Sequence, residues 1–413
     1  LARWIIEPSL LQGAAIPPPS KSHTLRAILF GLLAEGESEV VDPLPSPDTE
    51  AMLRAISLVG GSYRREGNRL WIQGGELSAA PDVIDCGNSG QVLRFMGAVA
   101  GLIPAYTVFT GDESIRTRRP AAALVDGLTQ LGAFAVSTRG NGYAPLVIRG
   151  AIRGERAEID GEDSQPVSGL LMAAVRAPHP IEISVRNPKE TPWIGLTLQW
   201  LKERGVRVER EGFSRFRVEP RAIAPFHYQV ARDYSSAAFV LAAGLIAGRA
   251  VAVEGLDPAD AQGDKRVVEW MGGRMRVERG LFRGGTFDLD EAIDALPVMA
   301  ALGCYGEAET VLYNGAIARK KESDRIRAMA VELQKMGGDI EEREEGLRIR
   351  PRPLKGARLF SHHDHRVALA LAVAALGAAG ESEIDGVECV EKSFPGFMEE
   401  LSRLGAKIRC VGS

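Results

Sequence analysis

Two hydrophobic patterns alternate along this chain of 413 residues. The first is an amphipathic helix closed by glycine, then a short strand, a polar turn and a second strand. It reads AISLVGGSYRREGNRLWIQG, GLTQLGAFAVSTRGNGYAPLVIRG, TLQWLKERGVRVEREGFSRFRVEP, VVEWMGGRMRVERGLFRG, ELQKMGGDIEEREEGLRIRP and ELSRLGAKIRCVGS. The closing glycines, Gly60, Gly132, Gly205, Gly272, Gly337 and Gly405, recur at near-even spacing, the mark of an internal repeat. Glycine suits a helix end because it takes a positive φ without a Cβ clash. The second pattern is a small or polar opening followed by an almost wholly apolar run: SKSHTLRAILFGLLAEG, SGQVLRFMGAVAGL, SQPVSGLLMAAVRA, YSSAAFVLAAGLIAG, DALPVMAALGCYGEAE and DHRVALALAVAALGAAG. A helix that is apolar nearly all round belongs in an interior.

Each repeat thus predicts one buried helix, one surface helix and several strands, an α/β class built from α+β repeats. The length fits two domains, hence three repeats in each. Ser, Asp or Gly opens each apolar run, and these are N-cap residues. If the buried helices are parallel, their unpaired N–H groups and positive dipole ends converge, making an anion-attracting face before any side chain is counted.

Composition narrows the choices. Lys and Arg total 50 against 54 Asp and Glu, a formal net charge of −4, which excludes the strongly basic footprint of a general nucleic-acid binder. The longest apolar runs, Ala237–Gly248 and Val367–Gly380, fall short of the ~20 residues of a membrane span. No cationic stretch followed by an apolar core opens the chain, so a secretory signal is expected to be absent or already removed. Cys86, Cys304, Cys389 and Cys410 are far apart, which points to a reducing cytoplasm rather than a disulfide framework.

The cations gather near the helix openings: Lys21, Arg26 and Arg94, then Arg116, Arg118 and Arg119, then Lys320, Lys321 and Arg325, and finally Arg366 and Lys392. Arg grips carboxylate or phosphate through two N–H groups, and Lys adds a mobile point charge. Singly, each motif has a plainer reading. SKSHTLR could be a capped helix, KKESDR a solvated helix face, and Asp294 a cap before Pro297. The HHDH run at His362 to His365 invites a metal, but no further His or Cys lies near it and Asp364 makes a good N-cap, so no metal is expected.

Taken in order, PPPSKSHTLRA, GNSGQVLRF, GDESIRTRRP, DSQPVSGLL, DALPV, KKESDRI, DHRVA and EKSFPGF resemble the 5-enolpyruvylshikimate-3-phosphate synthase family over nearly the whole chain. The resemblance implies two domains of three βαβαββ units, the first from 1–17 with 231–413 and the second from 18–230, closing over substrate in the cleft between them. It implies transfer of the enolpyruvyl group of phosphoenolpyruvate to the 5-hydroxyl of shikimate 3-phosphate, with release of phosphate. It also implies no metal or organic cofactor, no nucleic-acid or membrane partner, and a cytoplasmic monomer. Carried over by motif, Lys21, Ser22, Arg26, Ser164, Gln165, Asp294 and Lys321 would bind shikimate 3-phosphate. Lys21, Gly90, Arg119, Gln165, Arg325, Arg366 and Lys392 would bind phosphoenolpyruvate. Asp294, helped by Lys21, would be the base, and Glu322 the acid.

The chain departs from that pattern at Gln91, where Thr is usual, and in the acceptor half. Asp163 and Glu190 stand where the family has phosphate-binding Ser, and Trp193 where it has a ring-packing Tyr. An enolpyruvyl transferase for another, unphosphorylated alcohol is therefore the alternative. UDP-N-acetylglucosamine enolpyruvyl transferases share the fold but fit SKSHTLR and DHR less well. GNSGQVLR resembles a motif of RNA 3′-phosphate cyclases, against which the near-neutral charge argues. A non-catalytic binding homologue is disfavoured by Lys21, Asp294 and Glu322 occurring together.

Overall fold

The computed structural model describes residues 2–412, so the two end residues of the expected first domain lie outside it. The chain divides into two compact units, Leu1–Pro18 with Arg232–Ser413 and Pro19–Ala231. The crossings fall at Pro18/Pro19 and Ala231/Arg232, one residue on from the positions read in the sequence.

The six apolar runs are helices: Lys21–Leu33, Gly90–Ala100 and Ser164–Ala173 in one unit, and Tyr234–Ala247, Leu296–Gly303 and His365–Leu376 in the other. Every residue of Tyr234–Ala247 and His365–Leu376 is buried. Each Leu, Ile or Phe so buried contributes about 1.5–3 kcal/mol, so these two helices form the core of their unit. Gly169 shows how close they pack: a Cβ there would lie 2.7 Å from the carbonyl oxygen of Arg94 in the neighbouring buried helix.

Ser20, Ser89, Asp163, Asp233 and Asp364 cap five of these helices through side-chain oxygens that accept from the first turn. At the fifth helix in chain order the plainer reading of Asp294 as a cap does not hold. Asp294 does not cap it, because Asp294 lies in a preceding 3-10 turn, Ile293–Ala295, and Ala295 occupies the cap position with no side-chain bond. The Asp294 carboxylate is released for other partners.

Among the described residues each unit holds three small sheets. Most pair two strands in parallel and add an antiparallel hairpin, as in the sheet of His227–Gln229, Glu37–Val41, Arg69–Gln73 and Ser62–Glu66. The six landmark glycines all have positive φ, from 72° to 107°. Two repeats differ from the expected pattern. After Gly405 only the strand Lys407–Val411 forms, and its hairpin partner is supplied by Arg3–Glu7 from the chain start. After Gly272 the strand Arg276–Val277 pairs directly with Gly248–Val253, leaving a three-stranded sheet where the others have four.

Candidate active site

In unit Pro19–Ala231 the cations collect at the starts of the three buried helices. Lys21 is 3.5 Å from Asp48, a buried residue that sequence reasoning passed over. Arg26 is fully buried. Its Nη1 donates to the Ser22 carbonyl, its Nη2 to the Trp193 carbonyl at 3.1 Å and its Nε to Thr197 Oγ1 at 3.0 Å. Its guanidinium also lies over the Phe95 ring, at 5.3 Å. Burial lowers its pKa to about 9, so it remains a cation at neutral pH.

Gly90, Arg119 and Gln165 come together. A Cβ on Gly90 would lie 2.5 Å from Arg94 Nη1, 2.9 Å from Arg119 Nη1 and 3.0 Å from Gln165 Oε1. Only glycine lets both guanidiniums approach this helix start. Arg119 donates to the Asn88 carbonyl at 2.7 Å, and Arg94 to those of Gly90 and Pro120. The Oε1 atoms of Gln91 and Gln165 are buried with no hydrogen-bond partner among the described residues. A buried amide oxygen left unmatched is costly, and ligand donors would relieve it.

Asp163 and Glu190 face the start of helix Ser164–Ala173. Asp163 Oδ1 accepts from Gln165 N at 3.0 Å, and Oδ2 is 3.2 Å from Arg94 Nη2. Glu190, only 3% exposed, has φ of 50°. Its Oε2 accepts from both N and Oγ of Ser164 at 3.2 Å. Two of the chain's own carboxylates therefore fill the place where a helix start would receive an outside anion.

In unit Leu1–Pro18 with Arg232–Ser413, acids and cations alternate. Arg325 is 1% exposed and reaches three carboxylates: Asp294 Oδ1 at 2.5 Å, Glu322 Oε2 at 2.8 Å and Asp364 Oδ2 at 2.8 Å. Burial opposes its charge, but Asp364, Glu322 and Asp294 together hold its pKa well above the ordinary value. Lys392 Nζ is 2.8 Å from Glu322 Oε1. Arg366 Nη2 is 3.2 Å from Asp294 Oδ2, and its Nη1 donates to the Asp294 carbonyl. Burial alone would raise Asp294, yet Arg366, Arg325 and Lys321 hold it well below the usual carboxylate range. Ser323 donates to Asp364 Oδ2 at 3.0 Å.

The sequence-read residues thus divide between the units. Lys21, Ser22, Arg26, Gly90, Arg119, Ser164 and Gln165 lie in one, where Gly90, Arg119 and Gln165 meet. Asp294, Lys321, Glu322, Arg325, Arg366 and Lys392 lie in the other, where ion pairs join Asp294, Glu322, Arg325, Arg366 and Lys392. The HHDH run divides by role, with His362 Nε2 against Glu332 at 2.9 Å and Asp364 committed to its cap and to Arg325. Asp48, Asp264 and Thr197 were missed. Asp48 follows Pro47 at a helix start, the one sequence signal that could have drawn attention to it.

The profile of the EPSP synthase (3-phosphoshikimate 1-carboxyvinyltransferase) family matches residues 5–401. The chain is 40% identical to the 3-phosphoshikimate 1-carboxyvinyltransferase of Chlamydia muridarum, covering 98% of this chain and 95% of that one. The enzyme of that name from Acetivibrio thermocellus is also 40% identical, with 95% of each chain covered. Among solved structures, the EPSP synthase of Acinetobacter baumannii superposes over the full length of both chains with a TM-score of 0.81 and 28% identity. The enolpyruvyl transferase NikO of Streptomyces tendae shares the fold, with a TM-score of 0.76 at 17% identity over 100% of this chain and 99% of that one.

Proposed function

Since the chain belongs to the EPSP synthase family, we propose that it transfers the enolpyruvyl group of phosphoenolpyruvate to the 5-hydroxyl of shikimate 3-phosphate and releases phosphate. The observation that carries this reading is the run of side chains Arg366, Asp294, Arg325, Glu322 and Lys392, each paired with the next. It offers two carboxylates for proton transfer, set among cations that can take an anionic substrate.

The reaction needs both functions. Asp294 takes the proton of the acceptor hydroxyl as its oxygen attacks C2 of phosphoenolpyruvate. Glu322 delivers a proton to the methylene carbon, giving a tetrahedral intermediate. Phosphate then leaves, and the same carboxylate takes a proton back from the methyl group. Arg119, Arg325, Arg366 and Lys392 offset the charge on the phosphoenolpyruvate carboxylate and departing phosphate, with Gly90 and Gln165 beside Arg119. Lys21, Ser22, Arg26, Ser164, Gln165 and Lys321 hold the acceptor. As a donor, Glu322 needs Lys392 or Arg325 to turn towards substrate, so anion binding readies the acid. No metal or organic cofactor enters these steps.

The net charge of −4 supports the absence of a nucleic-acid partner. Among the described residues no helix is long and apolar enough to cross a membrane, and the cysteines are free thiols, which supports a reducing cytoplasm. Phosphate release with both substrates, followed in a coupled assay, tests the activity. Absence of release at saturating substrate overturns it.

A second reading of the acceptor has its own observation. Asp163 and Glu190 do not turn away from the helix start but bond to it. A phosphate oxygen charge approaching to ~4 Å would meet a repulsion on the order of 4 kcal/mol from each carboxylate at an effective dielectric of ~20, and a dianion about twice that. An acceptor offering hydroxyls or an amine there would be favoured instead. Titration calorimetry with shikimate 3-phosphate beside shikimate decides. Micromolar binding of the phosphorylated compound, unimproved in the D163S/E190S double variant, rejects this second reading.

A further inference from the structure

Asp264 stands at the N-cap of helix Lys265–Trp270 but makes no capping bond. Capping is the usual use of an Asp in that place, so the side chain is committed elsewhere. It is 1% exposed. Its Oδ2 accepts from Ser235 Oγ in the first turn of helix Tyr234–Ala247 and is 3.6 Å from Arg366 Nη1. Its Oδ1 is buried with no hydrogen-bond partner among the described residues.

The loop that carries Asp264 is tied down locally. Gln262 Oε1 accepts from Tyr234 N, its Nε2 donates to the Arg232 carbonyl, and Tyr234 OH donates to the Asp257 carbonyl. Arg366 therefore has two carboxylate partners. Asp294 Oδ2 lies 3.2 Å from Nη2, and Asp264 Oδ2, on a braced loop, lies 3.6 Å from Nη1. A guanidinium recognises an anion through a planar fork, and its plane is set by what holds it from behind.

We infer that Asp264 is a positioning residue that fixes the plane and direction of the Arg366 guanidinium, keeping it from collapsing fully onto Asp294. This rests on the reading that Arg366 binds phosphoenolpyruvate. Asp264 itself touches neither substrate. Without its charge, Arg366 has one carboxylate partner instead of two, and its fork swings to Asp294. The substrate then meets a misdirected cation, and Asp294 becomes more tightly paired.

The groups acting on Asp264 are Arg366, Asp294, Asp233 and Ser235. Burial pushes its carboxyl up to about 6, with Asp294 and Asp233 adding to the rise and Arg366 and Ser235 opposing it. Its charge, and so its hold on Arg366, is lost as pH falls through that value.

The test compares wild type, D264N, D264A and R366A. D264N keeps the shape and the bond to Ser235 but removes the charge. It should raise KM for phosphoenolpyruvate about tenfold at pH 7.5, equivalent to ~1.4 kcal/mol, with KM for the acceptor unchanged and a smaller fall in kcat. As pH falls from 7.5 to 5.5, the wild-type KM should climb towards that of D264N, so the ratio of the two should fall towards one. Substrate ionisation cancels in this ratio. Melting temperatures report whether either Asp264 variant is merely unfolded. If D264N and wild type have the same KM for phosphoenolpyruvate across the pH range while R366A raises it, the inference about Asp264 fails and the role of Arg366 stands. If R366A leaves that KM unchanged, the parent reading fails.

Discussion

The arginines of the two units' candidate sites are held in different ways. In unit Pro19–Ala231, Arg26, Arg94 and Arg119 all donate to main-chain carbonyls, and Arg94 also lies 3.2 Å from Asp163. A carbonyl orients a guanidinium without cancelling its charge. In the other unit, Arg325 and Arg366 are held by carboxylates. In the proposed reaction these cations have two tasks, meeting the anionic substrate and setting the charge of the acids beside them. One repeat architecture thus holds its arginines in two ways, and the partners of each Arg make the difference.

The largest test of that contrast is the loss of an arginine from each set. R325A leaves Asp294, Glu322 and Asp364 without their shared cation, and breaking a buried pair in this way costs about 3–5 kcal/mol. R26A loses hydrogen bonds to neutral acceptors and a ring contact, and should cost about half as much in urea unfolding. Equal losses would erase the distinction between the two modes.

Next come the proposed proton carriers. D294A and E322A should each lower kcat by at least ~10²-fold while the fold survives, the usual scale for general acid–base groups. K21A should act similarly through the base. Near wild-type turnover in both D294A and E322A would reject the assignment. Asp294 is held well below the ordinary carboxylate range by Arg366, Arg325 and Lys321 against the effect of burial. It therefore stays charged as pH falls towards 5, and any acid limb of the rate profile should persist in D294N.

The smallest effect sharpens the binding side. In G90A the new methyl would enter the space of Arg94, Arg119 and Gln165. KM for phosphoenolpyruvate should rise roughly tenfold, an overpacking cost of about 1–3 kcal/mol, with kcat changed less. An unaltered KM would mean that Arg119 does not meet this substrate.

The six repeats and the burial of their apolar helices were legible because both are periodic, and period is a local property of the chain. The end of each surface helix was legible for the same reason, since Gly60 and its five counterparts take a positive φ that other residues resist. Asp294 had a plainer reading as a cap because Pro297 marks a helix start. It instead sits in the 3-10 turn Ile293–Ala295 ahead of the helix, and no local signal separates the two. Asp48 and Asp264 were missed because each acts on a cation far away in sequence.

The sequence alone determined the repeat, the helix ends, the cation-rich openings and the family. It did so because glycine, N-cap residues and apolar periodicity act within a few positions of where they stand. The tertiary structure alone decided that Arg3–Glu7 completes the last hairpin, that Glu190 bonds the start of another helix, and that Arg366 meets both Asp264 and Asp294. These depend on which distant segments meet, and a buried charge takes its chemistry from whatever is brought within ~4 Å of it.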